Sequence, residues 1–163
     1  MTWTDVLADP CLQNLPYKIE LNELGQILMS PATNFHGLYQ GEIADILRSM
    51  QVRGKIMPEC SIDTTLGVKV ADLAWMSGEF FKQYAKETPF PVAPELCVEI
   101  VSRSNSKKEM VTKIDLYLAK GAKEVWLCTL KGKMSFFNHS GQIPNSNLFP
   151  EFPHFVDLNA ENM

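Results

Sequence analysis

Residues 68–76, VKVADLAWM, and residues 95–102, ELCVEIVS, decide the fold. Each is a short strand-like run dominated by apolar residues, and each carries one carboxylate, Asp72 in the first and Glu99 in the second. A carboxylate inside a low-dielectric sheet is costly unless it is paired, hydrogen-bonded or holding a cation, so two such intrusions in neighbouring strands point to a shared purpose. In the first run the two-residue period puts Val68, Val70 and Asp72 on one face, against Lys69, Ala71 and Leu73. The second run is nearly continuous in apolar residues, as expected of a central strand covered on both sides.

Working outward, SGEFFKQYAK reads as a short helix with Ser77 as N-cap, and TPFPVAP as an extended connector. Ser106 followed by Glu109 is a capping box, and Gly121 is a natural helix end. Between them Met110, Ile114, Tyr117 and Leu118 form an inward stripe with Lys113 at its edge. EVWLCTL is a further buried-looking strand, and KMSFFNH is its partner across the Lys131-Gly132 turn. Upstream, PYKIELNELGQILMSP alternates polar and apolar residues around Gly25, which predicts a β-hairpin. Thr33 or Asn34 can cap a helix whose stripe of Leu38, Tyr39, Ile43, Ile46 and Leu47 runs to about Met50. KIMPECSID is a strand that Pro58 places near an edge or a bulge.

This order predicts an α/β fold, a three-layer core with a central mixed sheet flanked by helices, plus an N-terminal β-hairpin. The 163 residues suit a single domain with its core at about 16–138 and an irregular tail over 139–163, where Pro144, Pro150 and Pro153 interrupt any period. A 45% hydrophobic and 21% charged composition is that of an ordinary globular protein. The N-terminus, MTWTDVLADP, has acids where a signal peptide carries lysines, and no apolar run is long enough for a membrane, so a cytoplasmic location is expected. The four cysteines form no CxxC pair, which argues against zinc. A net charge of −4 argues against a broad basic surface for nucleic acid, so any such contact needs lysines gathered locally.

Two acids and a lysine at a sheet edge can hold a divalent cation and an activated water, the equipment for hydrolysing a phosphodiester. Glycosidases and aspartic proteases also pair two acids, but neither calls for the lysine or this order of elements.

The stretches VKVADLAW, VEIVSRSNS, KIDLY and GAKEVWL, taken together, resemble the PD-(D/E)XK nuclease superfamily. Within it they are similar to a large bacterial family of small restriction-endonuclease-like proteins, with the resemblance spanning roughly residues 16 to 138. The resemblance implies a catalytic set of Asp72, Glu99 and Lys113, with Asp72, Glu99 and the backbone carbonyl of Ile100 holding Mg²⁺ or Mn²⁺. DNA is the expected substrate, and a homodimer, the commonest symmetric oligomer, is expected as a means of addressing two strands.

Two positions depart from the superfamily pattern: Val101 stands where its lysine is placed, and Ala71 where a proline precedes the acid. Lys113 matches the nearer family's helical lysine, with Lys107 and Lys108 as rivals near the end of the Glu99 strand. Glu20, His36 and Glu42 are secondary candidates, Glu20 in the hairpin and the other two on the first long helix. The alternative is a catalytically inactive module that keeps the nuclease fold and binds a protein or nucleic acid, consistent with the acidic charge and Val101.

Overall fold

The computed structural model describes residues 1–159; positions 160–163, the end of the expected tail, lie outside the described residues. The chain forms α1 (Trp3–Ala8), β1 (Tyr17–Leu21), β2 (Ile27–Pro31), α2 (Asn34–Ser49), β3 (Lys55–Thr64), β4 (Gly67–Met76) and α3 (Gly78–Tyr84). It continues through β5 (Leu96–Ile100), α4 (Lys107–Ala119), β6 (Glu124–Cys128), β7 (Met134–Asn138) and β8 (Gly141–Ile143). Strands β3 to β8 lie in chain order in one six-stranded sheet, antiparallel except for the β5–β6 pair. A parallel pair needs a crossover, and α4 supplies it. Strands β1 and β2 form a separate antiparallel hairpin.

Side-chain alternation in β5 sorts the two faces. Leu96, Val98 and Ile100 join Tyr39, Ile43 and Leu47 of α2, together with Trp126 of β6, in one buried cluster. Cys97 packs instead with Ile114, Tyr117 and Leu118 of α4 in a second. The sheet therefore lies between α2 and α4, the expected three layers. A third cluster of Val6, Leu21 and Val68 binds α1 and the hairpin to the start of β4. There the Lys69 ammonium donates to the Leu21 carbonyl and the Val70 N–H donates to the Glu20 carboxylate. This seam holds β1 over β4 and turns two of its charged side chains toward Asp72.

The caps follow from the residue types. Thr33, Ser77 and Ser106 accept from the N–H three residues on, satisfying donors that the first helical turn leaves free. The Ser106 box is only half made, because Glu109 accepts from Asn105 Nδ2 at 2.9 Å. Pro58 sits in β3, which lies at the sheet edge.

The expectation of an irregular tail over 139–163 needs correcting for its described part, residues 139–159. Strand β8 extends the sheet, and Phe149, Phe152 and Val156 are buried in the α2-side cluster. The latch is Glu124, 2% exposed, whose carboxylate accepts from Trp126 Nε1, Ser146 Oγ and the Asn147 and Leu148 N–H groups. Alternation cannot reveal such a segment, because its aromatic residues enter the core singly from an irregular backbone. No helix among the described residues is long and apolar enough to cross a membrane.

Candidate active site

The sheet opens at Asp72. The β4–β5 register pairs Leu73 with Val98 and, one step on, would set Asp72 opposite Glu99, but pairing stops there. On the other flank Pro58 pairs with Leu73 and Cys60 with Ala71, while Glu59, which would face Asp72, is missing from the ladder. Glu59 has φ 52°, a left-handed conformation that non-glycine residues seldom adopt and that concentrates at functional sites. The Gln40 amide reaches in from α2 and donates both to the Asp72 carbonyl and to Glu59 Oε1. Two strands that part around one residue leave room for side chains to converge.

Asp72 Oδ2 accepts from the Ile100 N–H at 2.6 Å, so β5 orients the carboxylate directly. Asp72 Oδ1 lies 2.6 Å from Lys18 Nζ and 3.1 Å from His36 Nε2. Glu99 shares the face of Cys97 and so points at α4, where Lys113 and Tyr117 stand one turn apart. Its Oε1 accepts from the Tyr117 hydroxyl at 2.7 Å and from Lys113 Nζ at 3.2 Å. Its Oε2 lies 3.3 Å from Lys18 Nζ. Lys113 Nζ also donates to Glu20 Oε1 at 2.8 Å. Lys18, Glu20, His36, Asp72, Glu99 and Lys113 line one cavity of about 300 Å³ together with Glu59, Ser102 and Asn105.

Burial would push both acids up, and their partners separate them. The Lys18 charge and the His36 hydrogen bond hold the Asp72 carboxyl well below the usual range despite its burial. Glu99 stays above its ordinary value, since burial and the neighbouring acids outweigh Lys113 and Lys18. Burial disfavours the Lys113 and Lys18 charges, but the surrounding carboxylates reverse that and raise both lysines. Lys113 is therefore a fixed ammonium, suited to stabilising negative charge rather than to taking a proton. The hydrogen bond to Asp72 raises His36, and burial holds the Tyr117 hydroxyl well above its ordinary value.

Asp72, Glu99, Lys113, Glu20 and His36 thus come together, from β4, β5, α4, β1 and α2. Glu42 does not join them; on α2 the site-facing residues are His36 and Gln40, one turn apart, and Glu42 lies on past them around the helix. Lys107 and Lys108 are exposed on the first turn of α4 and line none of this cavity. Four further polar residues belong to the cluster: Lys18, Gln40, Glu59 and the Tyr117 hydroxyl. Lys18 shares the face of Glu20 by the two-residue period, and Tyr117 follows Lys113 by one helical turn, so both had a periodic signal.

The donor set fits a hard divalent cation in one respect and needs a rearrangement in another. Asp72 Oδ1 and Glu99 Oε2 already converge on a shared cation, the Lys18 ammonium, and carboxylate oxygens of this kind suit Mg²⁺ or Mn²⁺. Among the described residues no three His, Cys, Asp or Glu side chains form a ready-made metal cluster. Of the carboxylates that line the cavity, Asp72 and Glu99 are the two that meet on one cation.

The family described as "Putative restriction endonuclease", Uma2, matches residues 5–150. Among solved structures, one described as a putative nuclease belonging to DUF820 from Anabaena variabilis matches with a TM-score of 0.64 and 18% identity. The match covers 96% of this chain and 94% of that one, and at this identity it speaks for the fold. No curated protein matches significantly. With the family match running over most of the length and the nuclease-like fold bearing out the resemblance, this chain belongs to the Uma2 family.

Proposed function

We propose that the protein is a metal-dependent endonuclease that hydrolyses DNA phosphodiester bonds at the Asp72–Glu99 cavity. The observation that carries this reading is the meeting of two carboxylates from adjacent strands around one cation, with the Lys113 ammonium 3.2 Å from Glu99. Asp72, Glu99 and the Ile100 carbonyl would hold Mg²⁺ or Mn²⁺. When bound, such a cation lowers the pKa of a coordinated water and neutralises charge on the phosphate.

The protein's own groups do the rest. The Ile100 N–H and the Tyr117 hydroxyl orient the two carboxylates. Lys113 contributes a preset positive charge beside Glu99. Glu20, held by the Val70 N–H, keeps the Lys113 ammonium on that side of the cavity. Cutting two strands calls for two such sites, which a homodimer would supply.

The test is cleavage of supercoiled plasmid in Mg²⁺ and in Mn²⁺ by wild type, Glu99→Gln and Lys113→Met. Nicking that either substitution lowers by about 10²-fold or more is the expected result. No cleavage by wild type with either metal, or equal cleavage by Glu99→Gln, overturns the proposal. The inactive-module reading draws on Lys18, which lies between the acids where a metal would bind; Mn²⁺ binding without cleavage would favour it.

A further inference from the structure

Lys18 is not explained by the reaction. It comes from the hairpin, outside the main sheet, and its ammonium lies 2.6 Å from Asp72 Oδ1 and 3.3 Å from Glu99 Oε2. Those are the oxygens a divalent cation would take. Mg²⁺ binds carboxylate oxygen at about 2.0–2.1 Å, so metal and ammonium cannot share this position. A partner that blocks the ligands has to leave before the ligands can be used.

Lys18 is able to leave. Its side chain keeps 12% of its exposure, against 6% for Lys113, and the cavity beyond it is walled by Leu15, Pro16 and Tyr17 of its own segment. Lys113, by contrast, is tied to both Glu20 and Glu99 from a helix packed into the core. The charge balance also favours an exchange. With Lys18 seated, the carboxylates that line the cavity, Glu20, Glu59, Asp72, Glu99 and Glu109, face Lys18, Lys113 and His36. A divalent cation in place of the ammonium adds one positive charge between Asp72 and Glu99, which lowers the negative charge that an anionic phosphate would meet.

We propose that Lys18 is an internal counter-ion that stabilises the metal-free site and is displaced by the divalent cation, making its side chain a metal-sensitive gate. This rests on the Asp72–Glu99 metal reading. Bound metal frees Lys18 toward the cavity mouth, and metal affinity is reduced by the free energy of breaking its ion pairs.

Two measurements test this without reference to catalysis. Mn²⁺ is titrated into wild type and Lys18→Met, with free Mn²⁺ followed by electron paramagnetic resonance. In wild type, the rate of lysine methylation at Lys18 is read by mass spectrometry with and without saturating Mn²⁺. The expected results are Mn²⁺ affinity tighter by about tenfold in Lys18→Met, and a Lys18 that is protected without metal and modified several times faster with it. Equal affinity in the two proteins, or a Lys18 still protected at saturating Mn²⁺, overturns the gate while leaving the metal site intact. Absence of Mn²⁺ binding by both proteins overturns the gate and the metal site together. The methylation arm uses wild type alone and so survives a variant that fails to fold.

Discussion

Asp72 and Glu99 face each other across a ladder that ends between them, yet their carboxyls are driven in opposite directions. Each has two cationic neighbours, but Asp72 also accepts from a backbone N–H, while Glu99 has Asp72 and Glu20 beside it. His36 feels the first of these environments. Its folded pKa is raised by Asp72 above the unfolded value of about 6.5, so its contribution to stability is complete below that value and fades as pH rises through the folded one. In chelator, the urea-unfolding gap between wild type and His36→Ala should be widest near pH 5 and shrink toward pH 9. A gap that widens with pH would contradict the assignment. The two acids were legible in sequence because each interrupts an apolar run. Lys18 carried only the weaker signal of sharing a face with Glu20, since a lysine in an alternating hairpin looks solvated, and its partners lie 54 and 81 residues away.

At the scale of elements, α4 does two jobs with one periodicity. Ile114 and Leu118 pack on the sheet, and Lys113 and Tyr117 meet Glu99 from the adjoining stripe. Helices α2 and α4, the hairpin and strands β3 to β7 were legible, because their caps, turn residues and apolar periods agree. The closing segment was not, because its order comes from one buried carboxylate rather than from a repeat. Glu124→Ala leaves Trp126 Nε1, Ser146 Oγ and two backbone N–H groups without their acceptor, at about 3 kcal/mol or more in total. Its urea midpoint should fall accordingly while Mn²⁺ affinity stays at the wild-type level, since Glu124 lines none of the Asp72 cavity. An unchanged midpoint would show that the segment is held by its aromatic residues alone.

Over the whole molecule the lysines named as candidates do not gather on one surface. Lys113 is buried in the cavity, Lys107 and Lys108 are exposed on the first turn of α4, and Lys120 caps its far end, about 20 Å away at 1.5 Å per residue. With a net charge of −4 and no contiguous lysine surface along that helix, metal-free protein should bind a duplex oligonucleotide weakly. Fluorescence anisotropy should give a shallow dependence of affinity on salt, and a steep one would reveal a basic face elsewhere. Positive potential at the cavity must then come from the cation itself, so the account depends on the two acids holding one. The most direct measurement is a Mn²⁺ titration of wild type against the near-isosteric Asp72→Asn/Glu99→Gln double variant, with folding of both checked by circular dichroism. The expected result is one saturable Mn²⁺ site in wild type and none in the variant. Equal binding by the two proteins, or negligible binding by both, would contradict the account.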